Sequence, residues 1–120
     1  MAKHSEPVAT LLDALSEVEE AARANVERSR SLQRRAKYMR QRLEAGENLV
    51  DLVHREEEPR MVELLTTNMA TLETAGAAFR AAEALALRAE GLTIEAIAEL
   101  FGVTRQRISA LLKQKTAVQL

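Results

Sequence analysis

The run Thr104-Arg105-Gln106-Arg107 is followed by Ser109 and Lys113. Residues of these types, close together on a helix, suit the recognition of nucleic-acid bases and phosphates. Arginine bonds bidentately to guanine and glutamine to adenine in the major groove. Hydroxyls and lysine reach phosphate oxygens. Three successive helical residues spread over about 200°, so Arg105, Gln106 and Arg107 cannot all point at bases. The expectation is Gln106 and one arginine at base edges, with the other arginine and Lys113 on phosphates. From Thr104 to Leu120 the bases are Arg105, Arg107, Lys113 and Lys115, and there is no acid. The formal net charge of -1 is therefore an average over the chain. What matters for a polyanion is the field at the reading face.

Such a face needs a scaffold, and the residues before it supply one. Ile94, Ile97, Ala98, Phe101, Val103, Ile108 and Leu111 form an apolar framework at helical spacing. Ile97 and Phe101 share a face of a first short helix, and Ala98 is small where a neighbouring helix passes closest. Gly102 falls at the turn, where a left-handed backbone penalises any Cβ. Val103 is expected to plug the corner. Thr93 and Thr104 are expected to cap the two helices through their hydroxyls. Ile108 and Leu111 turn the second helix back onto the first. Phe79 to Ala89, with Leu85 and Leu87, provides a preceding third helix. A plain αα-corner without a nucleic-acid role has the same spacing; the basic, acid-free second helix favours DNA.

The stretch EGLTIEAIAELFGVTRQRISALLK resembles the C-terminal helix-turn-helix of bacterial sigma-70-type factors and of related transcription regulators and recombinases. The resemblance covers residues 79–115, about a third of the chain. It implies that the helix from Thr104 lies in the major groove. It also implies that Thr104, Arg105, Gln106, Arg107, Ser109 and Lys113 face DNA. The chain departs from sigma factors elsewhere: it has no room for a core-promoter-binding domain, and Gln106 stands where those factors often carry Glu.

The rest of the chain is built from long helices. Ser5-Glu6-Pro7 reads as a helix start. Val8, Leu11, Leu15, Val18, Ala22, Asn25, Ser29, Leu32, Ala36, Met39 and Leu43 then recur in steps of 3 and 4. That 3.5-residue repeat predicts a coiled-coil-like seam. Ala45-Gly46 is the predicted stop, and a helix over 7–45 would be about 58 Å long. Such a helix needs a partner helix to bury its stripe. Asn25 and Ser29 interrupt the seam and either fix its register or mark a splay. A short helix of about two turns follows within Glu47–Glu58. Pro59 opens the next long helix, to Glu90, with Val62, Leu65, Met69, Leu72, Gly76 and Phe79 on its seam. The Glu56-Glu57-Glu58 run suits the positive end of that helix. Gly76 is expected to allow a close helix approach.

The predicted fold is all-α: a long coiled-coil-like helical hairpin over 1–76, then a C-terminal three-helix helix-turn-helix unit over 77–120. Aromatics are only Tyr38, Phe79 and Phe101, and Gly and Pro together number six. Both favour close-packed helices over a β-sandwich or barrel.

A second basic segment, Arg23 to Arg42, carries a net charge of +7, from eight bases against Glu27 alone. Its Arg28, Arg30, Arg34, Arg35, Lys37 and Arg40 form a possible ridge for DNA phosphates or RNA. The alternatives are a solvated helix face that pairs with acids of another helix, and a membrane-surface helix. The acids Glu17, Glu19 and Glu20 precede it, a separation that favours a particular antiparallel pairing.

Other chemistry has little support. The absence of cysteine excludes disulfides, thiol nucleophiles and Cys-ligated zinc. His54 with Glu57 or Glu58 lacks a third metal ligand, and His4 stands alone near the N-terminus. No Gly-rich phosphate loop and no nucleophile–base pair is present. The opening MAKHSEPVAT lacks the apolar core of a signal peptide, and no apolar run reaches 18 residues. No enzyme activity, cofactor, metal or membrane span is expected. The expected partners are double-stranded DNA, a second copy of the chain in a homodimer, and a protein partner on the coiled coil. The expected location is the cytoplasm, at the nucleoid. A transcriptional regulator, an architectural DNA binder of low selectivity and a coiled-coil adaptor to a protein such as polymerase all fit these features.

Overall fold

The computed structural model describes residues 5–119, with side chains as far as Lys113. His4 lies outside the described residues and Lys115 outside the described side chains. Five helices follow one another: α1 (Glu6–Glu44), α2 (Leu49–Arg55), α3 (Met61–Ala89), α4 (Ile94–Phe101) and α5 (Arg105–Gln119). No strand occurs among the described residues, so the fold is all-α. Two compact units divide it, Glu20–Glu73 and Met1–Glu19 with Thr74–Leu120. α3 runs without a break through residues 76–77.

Local chemistry sets the helix ends. Ser5 accepts from Val8 N at 3.4 Å and opens α1. At its end, Glu47 N bonds the Arg42 carbonyl and Gly46 N the Leu43 carbonyl, both at 3.0 Å. This is a Schellman closure, which satisfies carbonyls that the helix leaves unpaired. α3 ends the same way, with Leu92 N on Leu87 O and Gly91 N on Arg88 O. Asn48 caps α2 by accepting from Val50 N at 2.9 Å. α3 starts at Met61, two residues later than Pro59, and the Glu58–Pro59 peptide is cis. The acidic run does serve that terminus: the Glu56 carboxylate accepts from Met61 N at 2.9 Å.

Within Glu20–Glu73, α1 and α3 run antiparallel, since Arg28 bonds Asn68 while Arg35 reaches the carbonyls of Glu57 and Pro59. The partly or fully covered seam is Ala21, Asn25, Arg28, Leu32, Arg35 and Met39 on α1, and Met61, Leu64, Asn68 and Thr71 on α3. The 3-4 spacing is the predicted one, but eight of the eleven predicted positions in this unit lie beside the seam. Ala22, Ser29, Ala36 and Leu43 are exposed, as are Val62, Leu65, Met69 and Leu72. Two overlapping 3-4 rows exist in each helix, one residue apart. The chain closes on the row whose polar members satisfy one another, not on the more apolar one. In the second unit α1 repeats the pattern, with Ala14 buried and Leu15 exposed.

The polar interruption at Asn25 and Ser29 belongs to a closed network. Arg28 Nε donates to Asn68 Oδ1 at 2.6 Å, and an Arg28 terminal nitrogen donates to Asn25 Oδ1 at 3.2 Å. Asn68 Nδ2 in turn donates to Ser29 Oγ at 3.2 Å. These bonds form at one register only, so the polar residues fix alignment and do not mark a splay. Gly76 does not admit a neighbouring helix: a Cβ there would meet the Arg80 guanidinium of its own helix at 3.2 Å, and among the described residues nothing else within 4 Å.

Candidate nucleic-acid interface

The C-terminal core joins three helices through small and branched side chains. Ala81 and Ala84 of α3, Ile97 and Ala98 of α4, and Ile108 and Leu111 of α5 are its buried members. Leu87, Leu92, Ile94, Phe101 and Leu112 pack against its edge. Ile97, Ile108 and Ala84 have no exposed surface at all. The alanines of α3 let α4 and α5 approach closely; sequence reasoning singled out Leu85 and Leu87 on this helix and missed Ala81 and Ala84. Their signal was present as Ala81, Ala84 and Leu87 at 3-residue steps.

The turn between α4 and α5 follows from three residues. Gly102 has φ 68°, the left-handed conformation. Its N–H bonds the Glu99 carbonyl at 3.2 Å while Val103 N bonds Ala98 O at 3.0 Å, another Schellman closure. Thr104 Oγ1 then accepts from Arg107 N at 3.1 Å and caps α5. Thr93 Oγ1 accepts from Ala96 N at 3.1 Å and caps α4. Val103 is the exception to the predicted framework. It is 40% exposed and does not plug the corner. The Gly102 turn directs its backbone N–H inward to Ala98 and leaves its side chain at the surface beside Leu100 and Phe101.

With Ile108 and Leu111 buried, the opposite side of α5 faces solvent. Thr104, Arg105, Gln106, Arg107 and Lys113 are exposed and Ser109 is half-buried. They do not form one patch. Arg105, Gln106, Ser109 and Lys113 line a shallow groove with Ile94 and Ala110. Arg105, Ser109 and Lys113 are spaced one helical turn apart, so their side chains form a ladder. Arg107 lies on another flank, in a concavity with Arg80, Glu83, Phe101 and Val103. Lys113 therefore stands with Arg105 and Gln106, and Arg107 stands apart, because 100° per residue carries position 107 off that ladder; the sequence left open which arginine would join Lys113. Arg80, from α3, was not anticipated and contributes a second cation to the Arg107 flank.

The electrostatics of the face are simple. The first turn of α5 contains no acid, so the positive end of its peptide dipole is uncompensated there. One acid intrudes from α4: Glu95 lies 3.5 Å from the Arg105 guanidinium, with both side chains largely exposed. Thr104 differs from its neighbours, since its hydroxyl oxygen is already committed to the cap. Its remaining hydroxyl proton is free to donate to an anion.

The other expected cationic site is narrower than the sequence implied. Arg28 and Arg35 face α3 and spend their guanidinium donors on Asn25, Asn68 and the carbonyls of Glu57 and Pro59. Arg30, Arg34, Lys37 and Arg40 are exposed. Arg30 sits 4.0 Å from Glu27. His54 binds its own helix, with Nδ1 on the Val50 carbonyl at 2.8 Å. Among the described residues, no three His, Cys, Asp or Glu side chains converge as a metal site would need, and no helix is long and apolar enough to cross a membrane.

Comparison with known proteins bears on the same segment. No curated protein and no solved structure matches the chain. Residues 78–116 match the family model of a homeodomain-like domain, which takes in the last turns of α3, all of α4 and most of α5. Residues 78–116 are thus similar to a homeodomain-like helix-turn-helix, a likeness that supports DNA binding by this segment of an all-α chain.

Proposed function

We propose that the protein is a transcriptional regulator of bacterial type that reads the major groove of double-stranded DNA with α5 and acts as a homodimer through its long helices. The observation that carries this reading is the ladder of Arg105, Gln106, Ser109 and Lys113 along one exposed face of α5, opposite the buried Ile108 and Leu111. On this reading Gln106 and Arg105 reach base edges, and Lys113, Ser109 and the Thr104 hydroxyl hold phosphates. Arg107 and Arg80 contact the backbone on the other flank. In a dimer the two α5 helices meet successive major grooves at half-sites spaced ~34 Å or its multiples. No catalytic step, metal or cofactor enters this function.

The test is genome-wide mapping of bound DNA, followed by titration of the recovered site against random DNA. A regulator retains an advantage of ~1000-fold or more for its site. The double substitution Arg105→Ala, Gln106→Ala should abolish that advantage. A chain that binds all DNA alike is an architectural binder. Binding that survives the double substitution undiminished removes α5 as the reading helix.

A further inference from the structure

The hairpin of α1 and α3 leaves its more apolar row uncovered. Val62, Leu65, Met69 and Leu72 are 68, 48, 74 and 43% exposed on α3, and Val26 and Leu43 are 49 and 41% exposed on α1. All but Leu43 stand one residue after a covered seam position: Val26 after Asn25, Val62 after Met61, Leu65 after Leu64, Met69 after Asn68 and Leu72 after Thr71. One residue turns a helix by 100°. In an antiparallel pair, equal turns away from the seam carry both rows to the same side of the hairpin. Within Glu20–Glu73, Val26, Val62, Leu65, Met69 and Leu72 therefore share one face. A contiguous apolar face rimmed by polar residues is the mark of an interaction surface, not of ordinary surface scatter.

Its shape and charge identify the occupant. Two parallel ridges at 3-4 spacing accept a helical partner with ridges of the same period, and this chain carries such a pair. The α1 edge of the face is mainly cationic, with Arg23, Arg30 and Lys37 along its outer side, where Glu27 is the one acid, and Arg40 within it, whereas the α3 row is neutral and bordered by Glu63 and Glu73. Packing α1 on α1 of a second copy would set these cations against their own images. Packing α1 on α3 of a second copy sets them against the apolar row. A two-fold axis parallel to the helices gives that arrangement, and it keeps every residue at its own level. The Arg28–Asn68 bond fixes which levels correspond within the hairpin. Arg23 of one copy then comes level with Glu73 of the other, and Val26 with Met69.

We infer that this face is the self-association surface of the protein: two hairpins pack as a four-helix bundle, α1 of each against α3 of the other, through Val26, Val62, Leu65, Met69 and Leu72. The inference rests on the dimeric reading above and specifies its surface.

The test is mass by sedimentation equilibrium of the full chain, with helix content monitored by circular dichroism. Wild type should sediment at twice the 13.3 kDa chain mass. Leu65→Glu with Met69→Glu should give the single-chain mass with helix content kept. Thr67→Glu, on an exposed position off the face, should leave the dimer intact. Because the chain has no cysteine, Val26→Cys and Met69→Cys chains can be mixed and oxidised. Covalent dimers should form in the mixture and not from Val26→Cys alone. A monomeric wild type overturns both the surface and the dimeric reading. A dimer that persists in the double Glu variant overturns the surface alone. Ready cross-linking of Val26→Cys to itself overturns the α1-on-α3 arrangement. None of these outcomes touches the assignment of α5 to DNA, which the Arg105, Gln106 substitutions test separately.

Discussion

The Arg105 guanidinium lies 3.5 Å from the Glu95 carboxylate, which ties the first residue of α5 to the first turn of α4. Both side chains are more than two-thirds exposed, so the pair is weak and solvent-screened. Its importance is positional: it places one negative charge beside the ladder proposed to face DNA. Glu95→Gln should leave the fold intact, release Arg105 and remove repulsion toward phosphates. DNA affinity at low salt should rise by about 2- to 5-fold, the range of one screened charge pair. The gain should shrink as salt is raised. Fluorescence anisotropy with a labelled duplex checks it, and an unchanged or weaker affinity would show that Arg105 does not meet DNA.

Gly102 holds φ 68° at the corner of the helix-turn-helix, and a Cβ built there meets no atom within 4 Å. Substitution is therefore a test of backbone strain without steric clash. Gly102→Ala should destabilise the C-terminal unit by about 1–2 kcal/mol, the cost of a left-handed conformation for a residue with a Cβ. Gly102→Asn should cost less, since asparagine visits this region more readily. Thermal unfolding of the three proteins gives the order, and equal stability of glycine and alanine variants would contradict the left-handed turn.

How far the residues alone foretold this structure depends on what decides each feature. Caps and stops are local, and they were legible: Ser5, Ala45-Gly46, Thr93, Gly102 and Thr104 all act where their chemistry predicts. The core of the helix-turn-helix was legible because Ile97, Ala98, Ile108 and Leu111 are apolar or small at fixed spacing. The long seam was legible in period but not in phase. Apolarity selected Leu65 and Met69, whereas pairing buried Leu64 and covered Asn68, because hydrogen bonds from Arg28 reward a position that looks polar in the sequence. Likewise the division of Arg105 from Arg107 follows from helix geometry, but which of them joins Gln106 depends on how α5 sits on α4.

That polar layer has a measurable role. Asn68 accepts from Arg28 at 2.6 Å and donates to Ser29 at 3.2 Å, and both Asn68 and Arg28 are half-buried. Asn68→Ala strands the Arg28 donors against a helix and should destabilise the hairpin by about 1 kcal/mol, at the low end for a hydrogen bond to a charged group because water still reaches the site. Arg28→Leu with Asn68→Leu removes both partners and should recover stability, since an apolar pair of similar size replaces a polar one without leaving either unsatisfied. A double-mutant cycle read by urea unfolding measures the coupling. Purely additive effects would mean that the network does not act as a unit.

Glu47 joins α1 to α2 across their turn. It accepts from Arg55 at 2.7 Å and also pairs with Arg42. The Arg55 hydrogen bond, helped by the charge of Arg42, holds the Glu47 carboxyl below the ordinary glutamate range, and the Glu47 carboxylate raises Arg55 in return. A carboxyl whose folded pKa is depressed binds its proton less readily in the native chain than in the unfolded one. Its contribution is therefore fully present above the unfolded value, about pH 4.5, and is lost as pH falls through the lower folded value. The melting temperature of wild type should decline more steeply below about pH 4.5 than that of Glu47→Gln, which carries no proton equilibrium at this position. At pH 7 the variant should be the less stable of the two, and in acid the difference should close. Thermal melts between pH 3 and 7 check both statements, and parallel curves across that range would show that the Arg42–Glu47–Arg55 cluster does not brace the turn.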